Sequence, residues 1–413
     1  MKQTKHILMS LFIAFTLFSC ESHDVLQPTT VTLSLVMPQG ITNATVSNIT
    51  LSAKNVNTSK KTAITLSAIN DTTYSFTLME GLYDLTLTGE ISYELNKETY
   101  SDKIKAYKEA LTFTGDNNNE ATLTCFIVKD NANFVIAEIF FTGTLTPEGK
   151  QYNGDKYFRI FNNADSLLYA DGLVLLESDF LTVSKYNYTP DIMSQAMAVQ
   201  ALYRIPGNGT QYPVEPGKSV LICDNAIDHR VANSNSFDLT SANFEWYDES
   251  TNPNYADIDN EAVPNLEKIY CYTLTIWGPH NRGFSSYAIG RIPQNITNTE
   301  YLTAYSYAYN YDLVTQAGTF AMSGTSYRFE NSWIIDAVNL SVSSKFQWIV
   351  TDPSLDQGWT YCGTIDSDKT RYGKSIRRKV LSNRQTGTPI LQDTNNSTND
   401  FNPEQPANPF YFE

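Results

Sequence analysis

The sequence contains few of the residues from which catalytic and metal centres are usually built. It has four histidines and five cysteines, and none of the cysteines forms a Cys-x-x-Cys pair. His-Glu-x-x-His, Gly-x-Ser-x-Gly and Gly-x-x-x-x-Gly-Lys are all absent. Zinc proteases, α/β-hydrolases and P-loop enzymes are therefore not indicated. We expect a non-catalytic protein. A glycosidase or peptidase with scattered catalytic residues stays a distant alternative, because triads and carboxylate pairs can assemble from remote positions.

Positive charge is also scarce. Lys and Arg number 29 against 44 Asp and Glu, which gives a formal net charge of −15. The longest basic segment, Lys-Ser-Ile-Arg-Arg-Lys at 374–379, is short and interrupted. A surface of this sign repels phosphate backbones, so we expect no nucleic-acid partner.

The N-terminus has the residue order of a secretory leader. A short basic start and an apolar run over residues 7–18 precede Ser19 and Cys20. As a helix this run of about 12 residues would be roughly 18 Å long, too short for the ~30 Å hydrocarbon core of a membrane. Its Leu-x-Ser-Cys ending resembles a bacterial lipobox. The resemblance implies a signal peptide at 1–19, acylation (palmitate) of Cys20 and a lipidated tether at 20–30. An ordinary cleaved leader with a chance cysteine is the alternative.

Four cysteines remain if Cys20 carries lipid. Because they form no recognisable pairs, we favour free buried thiols, although one or two disulfides would be compatible with an oxidising compartment. Their pairing cannot be deduced from spacing. They are Cys125, Cys223, Cys271 and Cys362.

From residue 31 onward, apolar residues alternate with polar ones in short runs, as at Val31, Leu33 and Leu35. Turn-forming sequences separate the runs, which is typical of an antiparallel β-sandwich of about 100 residues. We place this domain at 31–129. The segment Gly-Leu-Tyr-Asp-Leu at 81–85 resembles the first strand residues of transthyretin-like sandwiches. The domain is thus expected to be transthyretin-like or Ig-like, a type that mostly serves as a spacer or stalk.

The region 133–413 also has mainly strand patterns, so we predict an all-β chain. No long helix is needed, and 193–203 is the best short helical candidate. Several blocks, in this order, resemble a lamin-tail-like β-sandwich of bacterial surface proteins: Val-Ile-Ala-Glu-Ile at 135–139, Tyr-Phe-Arg-Ile-Phe-Asn-Asn at 157–163, Ala-Asp-Gly-Leu at 170–173, Pro-Gly-Lys-Ser-Val-Leu-Ile at 216–222, Trp-Ile-Ile-Asp-Ala-Val at 333–338, and Ser-Ile-Arg-Arg-Lys at 375–379. Arg159 and Leu173 depart from that pattern. The length implies insertions near 180–212, 242–262 and 292–330.

This arrangement of lipobox, small sandwich and larger sandwich resembles an uncharacterised family of Bacteroidota lipoproteins, often encoded beside SusC/SusD-type importers. The resemblance implies a surface-exposed, lipid-anchored protein of the outer membrane. It would be an accessory or ligand-binding subunit for nutrient uptake. Its expected partners are a TonB-dependent importer with its lipoprotein, and a glycan or peptide ligand. A structural or adhesive surface protein is the nearest alternative.

A tyrosine-rich segment is the first candidate binding site. Tyr305, Tyr307, Tyr309 and Tyr311 recur at every second residue, and Tyr301 lies four residues earlier. On an extended strand the four rings would share one face. Such a face suits stacking against sugars or peptides. Packing against a neighbouring sheet is the interpretation that we favour.

An acidic segment at 244–261 is the second candidate. Asp257, Asp259 and Glu261 alternate there and have the hard oxygen ligands that Ca²⁺ prefers, although no EF-hand pattern is present. The same segment contains Trp246, which we include among the candidate ligand-binding residues. A solvated acidic loop without a metal is the favoured interpretation.

Overall fold

The computed structural model describes residues 26–38, 41–95, 98–115, 119–128, 133–250, 252 and 255–412. The predicted signal peptide, the lipidation site Cys20 and residues 130–132, between the two predicted domains, lie outside the described residues. The chain divides into two compact units, residues 1–125 and 126–413. Strands dominate both units, so the predicted all-β fold class is confirmed.

The first unit contains one path of eight hydrogen-bonded strands, in the order β3-β2-β6-β7-β8-β1-β5-β4. The first strand starts at Pro28, inside the segment expected to be tether. The strands are β1 (Pro28–Val36), β2 (Thr42–Asn55), β3 (Lys61–Ile64), β4 (Ser67–Ala68), β5 (Thr73–Met79), β6 (Gly81–Leu95), β7 (Glu98–Phe113) and β8 (Asn119–Val128).

Alternation along these strands directs apolar side chains into the core of the unit. Val31, Leu33 and Leu35 of β1 are all buried, as the period-2 pattern requires. The expectation of a purely antiparallel arrangement is wrong at one pair, because β1 and β8 run parallel. The whole of the unit lies between them in sequence, and so long a connection permits parallel pairing.

The second unit has two large sheets, with strand orders β16-β15-β10-β9-β23-β26 and β19-β20-β13-β12-β18-β21-β22, and β17 also pairs with β13. The strands are β9 (Phe134–Phe140), β10 (Tyr157–Asn162), β11 (Leu168–Tyr169), β12 (Val174–Leu181), β13 (Ala196–Arg204), β14 (Pro213–Val214), β15 (Ser219–Cys223), β16 (Phe244–Glu245), β17 (Glu267–Cys271), β18 (Ser285–Gly290), β19 (Ser306–Thr315), β20 (Gly318–Glu330), β21 (Ile334–Ser341), β22 (Thr360–Tyr361), β23 (Lys374–Arg378), β24 (Val380–Asn383), β25 (Pro389–Leu391) and β26 (Phe401–Pro406).

The main core of this unit combines side chains from both large sheets. Phe158 of β10 stacks on Trp277 and contacts Tyr287 of β18, with ring centroids 6.4 and 5.4 Å apart. These rings belong to one continuous cluster of buried residues. Apolar residues from the inner faces of two sheets thus meet, as in a β-sandwich.

One local prediction about helices is corrected. The segment 193–203 is not helical, because most of it forms β13, buried between β12 and β20. Its Ala- and Met-rich sequence favours a helix, but burial on both faces overrides that preference. Helix α1 spans Asn298–Ala304, after a Thr297 cap whose partner Glu300 completes a capping box. The short helix α2 spans Ser397–Asp400.

All four described cysteines are free thiols, as predicted, but Cys271 is half-buried whereas the other three are buried. Burial raises the pKa of Cys125 to about 11 and that of Cys362 to about 12, so these thiols stay protonated and unreactive. Among the described residues, no helix combines the length and the apolar character that a membrane-spanning helix needs.

Candidate functional site

Strands β19 and β20 form a long hairpin at one end of the larger sheet. Its two faces differ in character. On one face Tyr309 opposes Gly324, Tyr311 opposes Met322 and Leu313 opposes Phe320. The other face carries small or polar residues over most of its length. The hairpin is therefore amphipathic, with one face of aromatic and apolar side chains.

The base of the apolar face packs onto the loop that follows β12. Tyr311 contacts Tyr186 with ring centroids 4.7 Å apart, and Tyr309 contacts Tyr188 edge-on at 5.4 Å. Tyr188 in turn stacks on Phe180 at 3.6 Å. We call this group the aromatic cluster. Its members are Phe180, Tyr186, Tyr188, Tyr307, Tyr309, Tyr311 and Trp348.

Hydrogen bonds fix two of the tyrosines in this cluster. The Tyr307 hydroxyl donates to Pro190 O at 2.6 Å, and the Tyr309 hydroxyl donates to Asp179 Oδ2 at 2.7 Å. Burial raises the pKa of Tyr307 to about 12. Tyr307 is a core residue, whereas Tyr309 and Tyr311 are half-buried and keep part of their rings at the surface.

The four tyrosines do not share one face. Tyr305 follows α1 and caps it, and Tyr301 lies within that helix. The Tyr305 ring stacks on Tyr301 at 5.3 Å and contacts Trp333 at 5.0 Å. The strand starts only at Ser306, so extending the period-2 pattern back to Tyr305 and Tyr301 was wrong. Tyr305 is separate from the aromatic cluster.

Sequence analysis missed the outer part of the hairpin. There the apolar face continues past Tyr311 to Leu313, Phe320 and Met322, and Phe320 and Met322 are 49% and 38% exposed. Val314, on the other face, is also exposed. We call these four residues the hairpin tip. The sequence feature that could have predicted this tip is the presence of apolar residues on both sides of a Gln-Ala-Gly turn at 316–318.

The outer edge of β19 is covered at one point. The backbone groups of Asn310 bond to those of Thr189, with both N–O distances 2.9 Å. Beyond Asn310 no neighbouring strand lies along this edge among the residues that the structure describes. The end of β19 therefore offers backbone donors and acceptors for pairing.

The acidic segment places its residues in different surroundings. Trp246 is wholly buried against Phe158 and Trp277, so its indole has no surface for a ligand and belongs to the core. Asp257 Oδ2 accepts a hydrogen bond from Asp248 N at 3.0 Å, and Asp259 Oδ1 accepts one from Asn265 Nδ2 at 2.9 Å.

Glu261, the third predicted calcium ligand, is exposed. Within the described part of the chain, no group of three histidine, cysteine or carboxylate side chains is placed to hold a metal ion. The structure thus does not bring the three alternating acids together as one group of ligands.

Both described histidines are held by structural contacts. The Nδ1 atom of His229 lies 2.8 Å from the Tyr152 hydroxyl, and its Nε2 lies 2.8 Å from Asn225 O. Burial lowers the pKa of His229. Burial, with the charges of Arg282 and Lys156, lowers the pKa of His280 to about 4. Both rings are therefore neutral at pH 7, and both nitrogens of His229 are occupied.

Comparison with known proteins gives a family match for part of the chain. Residues 215–408 match the sequence model of a family described as "Protein of unknown function (DUF4876)". No curated protein matches the chain.

Two solved structures are similar to the chain to different degrees. The crystal structure of a DUF4876 family protein from Bacteroides thetaiotaomicron is 21% identical, covers 92% of this chain and 96% of that chain, and has a TM-score of 0.56. The crystal structure of a DUF3823 family protein from Parabacteroides merdae is 10% identical, covers 74% of this chain and 100% of that chain, and has a TM-score of 0.16. The family match thus covers a little under half of the chain, and the similarity to the Bacteroides structure supports the fold.

Proposed function

We propose that this protein is a non-catalytic binding subunit, anchored by lipid at Cys20 to the outer membrane and exposed on the cell surface. It would act beside a SusC/SusD-type importer in nutrient uptake. The lipobox-like sequence and the similarity to Bacteroidota proteins support the location. The observation that carries the binding role is the amphipathic hairpin, whose apolar face runs from the buried Tyr307 to the exposed hairpin tip.

The composition of the hairpin is suited to protein contact. Tyr, Phe and Met are enriched in the cores of protein interfaces, and Tyr is frequent at their hot spots. The aromatic cluster holds the base of the hairpin through ring contacts and hydrogen bonds. Less conformational entropy is lost on binding when a surface is already held in its bound shape. The hairpin therefore presents its tip at low entropic cost.

The chemistry of the hairpin points to one kind of partner. An extended segment of an outer-membrane protein would pair with the open edge of β19 beyond Asn310. Its alternate side chains would then lie beside Tyr311 and Leu313 on the apolar face. Since this chain has a net charge of −15, basic residues around the partner's segment would favour the encounter.

Co-purification from native membranes tests this proposal. The lipidated wild type is expected to retain an importer in mild detergent, and the double variant Phe320→Ser, Met322→Ser is expected to lose it. Val231→Ser is the matched control, because Val231 is an exposed apolar residue outside the hairpin. Purification of the wild type as a clean monomer, or equal retention by the hairpin variant, would contradict the proposal. Mass spectrometry showing an unmodified thiol at Cys20 would contradict the anchor.

A further inference from the structure

A cleft of about 480 Å³ lies elsewhere in the second unit, away from the hairpin. Its walls include the end of β13 with the following loop at 205–209, residue Glu267 of β17, and residues 291–294 and 296 after β18. No member of the aromatic cluster lines it. Its volume falls within the range of about 300–1,000 Å³ that is usual for small-ligand pockets.

The loop on one wall is held in a fixed shape by Asp171. The carboxylate of Asp171 accepts hydrogen bonds from the backbone N–H groups of Gly209, Gln211 and Tyr212, at 3.0, 2.8 and 2.8 Å. These bonds lower its pKa, although burial opposes them. A Cβ at Gly207 would lie 2.2 Å from Asp171 Oδ1, so only glycine permits this close approach. The wall is therefore formed before any ligand arrives.

Two arginines lie in the cleft beside carboxylates. Arg204 donates from Nε and Nη2 to Glu267 Oε2, at 2.9 and 2.5 Å, and Glu267 also accepts a hydrogen bond from Asn298. Arg291 donates to the backbone oxygens of Tyr169 and Asp171. The charges of the two arginines balance those of Asp171 and Glu267. The cleft is thus polar without a net charge.

Apolar side chains also line the cleft. Ile205 and Ile292 are buried at the cleft and Ile296 is half-buried. The cleft therefore presents donors and acceptors side by side next to an aliphatic surface. A hydroxyl group can both accept a bond from a guanidinium and donate one to a carboxylate. The C–H face of a sugar ring can cover aliphatic side chains.

We propose that this cleft binds a neutral, polyhydroxylated ligand, an oligosaccharide without acidic groups. Arg204 and Glu267 bind its hydroxyls and the isoleucines contact its apolar face. A carboxylated or phosphorylated ligand does not fit, because Arg204 is paired with Glu267, Arg291 donates to two backbone oxygens, and the cleft has no net positive charge. The site is separate from the hairpin, so the test of this site and the test of the function proposed above can fail independently of each other.

Titration of the purified full-length chain tests the site. The probes are neutral gluco-, manno- and xylo-oligosaccharides, with oligogalacturonides as the anionic comparison, followed by calorimetry and saturation-transfer NMR. We expect a neutral oligosaccharide to bind. Arg204→Gln and Glu267→Gln should each weaken binding about tenfold or more, since each removes a charge-assisted hydrogen bond.

A third variant and a matched control keep this test decisive. Asn208→Trp, on the exposed loop, should block the cleft by bulk without removing any charge. Arg230→Gln breaks an exposed arginine–carboxylate pair outside the cleft and should leave binding unchanged. Three outcomes would overturn the proposal. The first is that no neutral oligosaccharide binds at about 10 mM, a concentration at which even a weak ligand would be bound. The second is tighter binding of the anionic probes, and the third is normal binding by folded Arg204→Gln and Asn208→Trp.

Discussion

The guanidinium of Arg378 lies 2.6 Å from the carboxylate of Asp336, measured from Nη2 to Oδ2, and both side chains are almost wholly buried. Arg378 belongs to β23 and Asp336 to β21, so the pair joins the two large sheets of the second unit. Burial opposes the charge on Arg378, but the carboxylates of Asp336, Asp393 and Asp400 outweigh it and raise its pKa. Arg378 is therefore charged inside the fold, while burial raises the pKa of its partner Asp336 to about 7.

Breaking this pair should be strongly destabilising. In Asp336→Ala, Arg378 stays buried without its nearest counter-charge, and Ile136 N loses an acceptor at 2.6 Å. We expect the free energy of unfolding in urea to fall by about 3–5 kcal/mol. Removing both charges, in Asp336→Leu with Arg378→Met, should cost less than Asp336→Ala alone. Asp228→Ala, which breaks an exposed pair with Arg230, is the control and should change little. Equal effects of the buried and exposed variants would contradict the argument.

The sequence blocks that resemble a lamin-tail-like domain predicted where strands lie, but not how they meet. The block at 333–338 overlaps β21, and the block at 375–379 overlaps β23. Which acid faces which arginine depends on the packing of one sheet on the other. The alternation of residues along a strand predicts which side chains share a face, but it does not predict which residues of two packed sheets lie opposite each other.

Gly324 should tolerate no larger residue, because its Cβ would lie 2.4 Å from Cζ of Tyr309. In Gly324→Ala the Tyr309 ring must move away from Tyr188 and Asp179. We expect a loss of about 1–3 kcal/mol in unfolding free energy, as for overpacked cores. Tryptophan fluorescence should also change, since Trp348 lies within the cluster, 6.1 Å from Tyr188.

Gly154→Ala is a matched control for that substitution. Its Cβ would meet nothing closer than 3.5 Å, which is ordinary van der Waals contact. We expect this variant to unfold close to the wild type and to keep the fluorescence of Trp348. If both alanine variants had the same stability and spectrum, the proposed packing of Tyr309 would be wrong.

The candidate binding surface was only partly predictable. Alternation predicted that Tyr307, Tyr309 and Tyr311 share a face, and the structure places them so. It could not place Tyr305 outside the strand, because that depends on α1 and on its capping box at Thr297. The cleft at Arg204 was not predicted from the sequence at all. Its residues come from distant segments, and no local spacing connects Asp171, Glu267 and Arg291.

Calcium should leave the thermal stability of the protein unchanged. Asp257 and Asp259 already accept hydrogen bonds from Asp248 N and Asn265 Nδ2, and they do not form one group of ligands with Glu261. Both carboxylates would have to rotate away from these donors to bind calcium, so calcium would bind weakly. A ligand stabilises the folded chain appreciably only when the ligand concentration exceeds the dissociation constant. Thermal unfolding with and without millimolar Ca²⁺ checks this. A rise in melting temperature that Asp259→Asn abolishes would instead establish a calcium site.

Asp257 should make the stability of the second unit depend on pH. Burial, together with the charges of Asp248 and Glu245, raises the pKa of Asp257 from its ordinary 3.8 to about 7. Between these two values the folded chain keeps a proton that the unfolded chain releases. The free energy of unfolding must therefore fall as the pH rises from about 4 to about 7, and stay lowered above that.

Asp257→Asn removes this ionisation while keeping an oxygen that can accept the hydrogen bond from Asp248 N. We expect the variant to be more stable than the wild type at pH 8 by about 1–2 kcal/mol, a value reduced for the partial exposure of the side chain. At pH 4 the two proteins should be equal. Asp259→Asn, in the same segment but exposed, is the control and should show no such difference. Urea unfolding at both pH values measures the effect, and an equal gain at pH 4 and pH 8 would show that ionisation of Asp257 is not its cause.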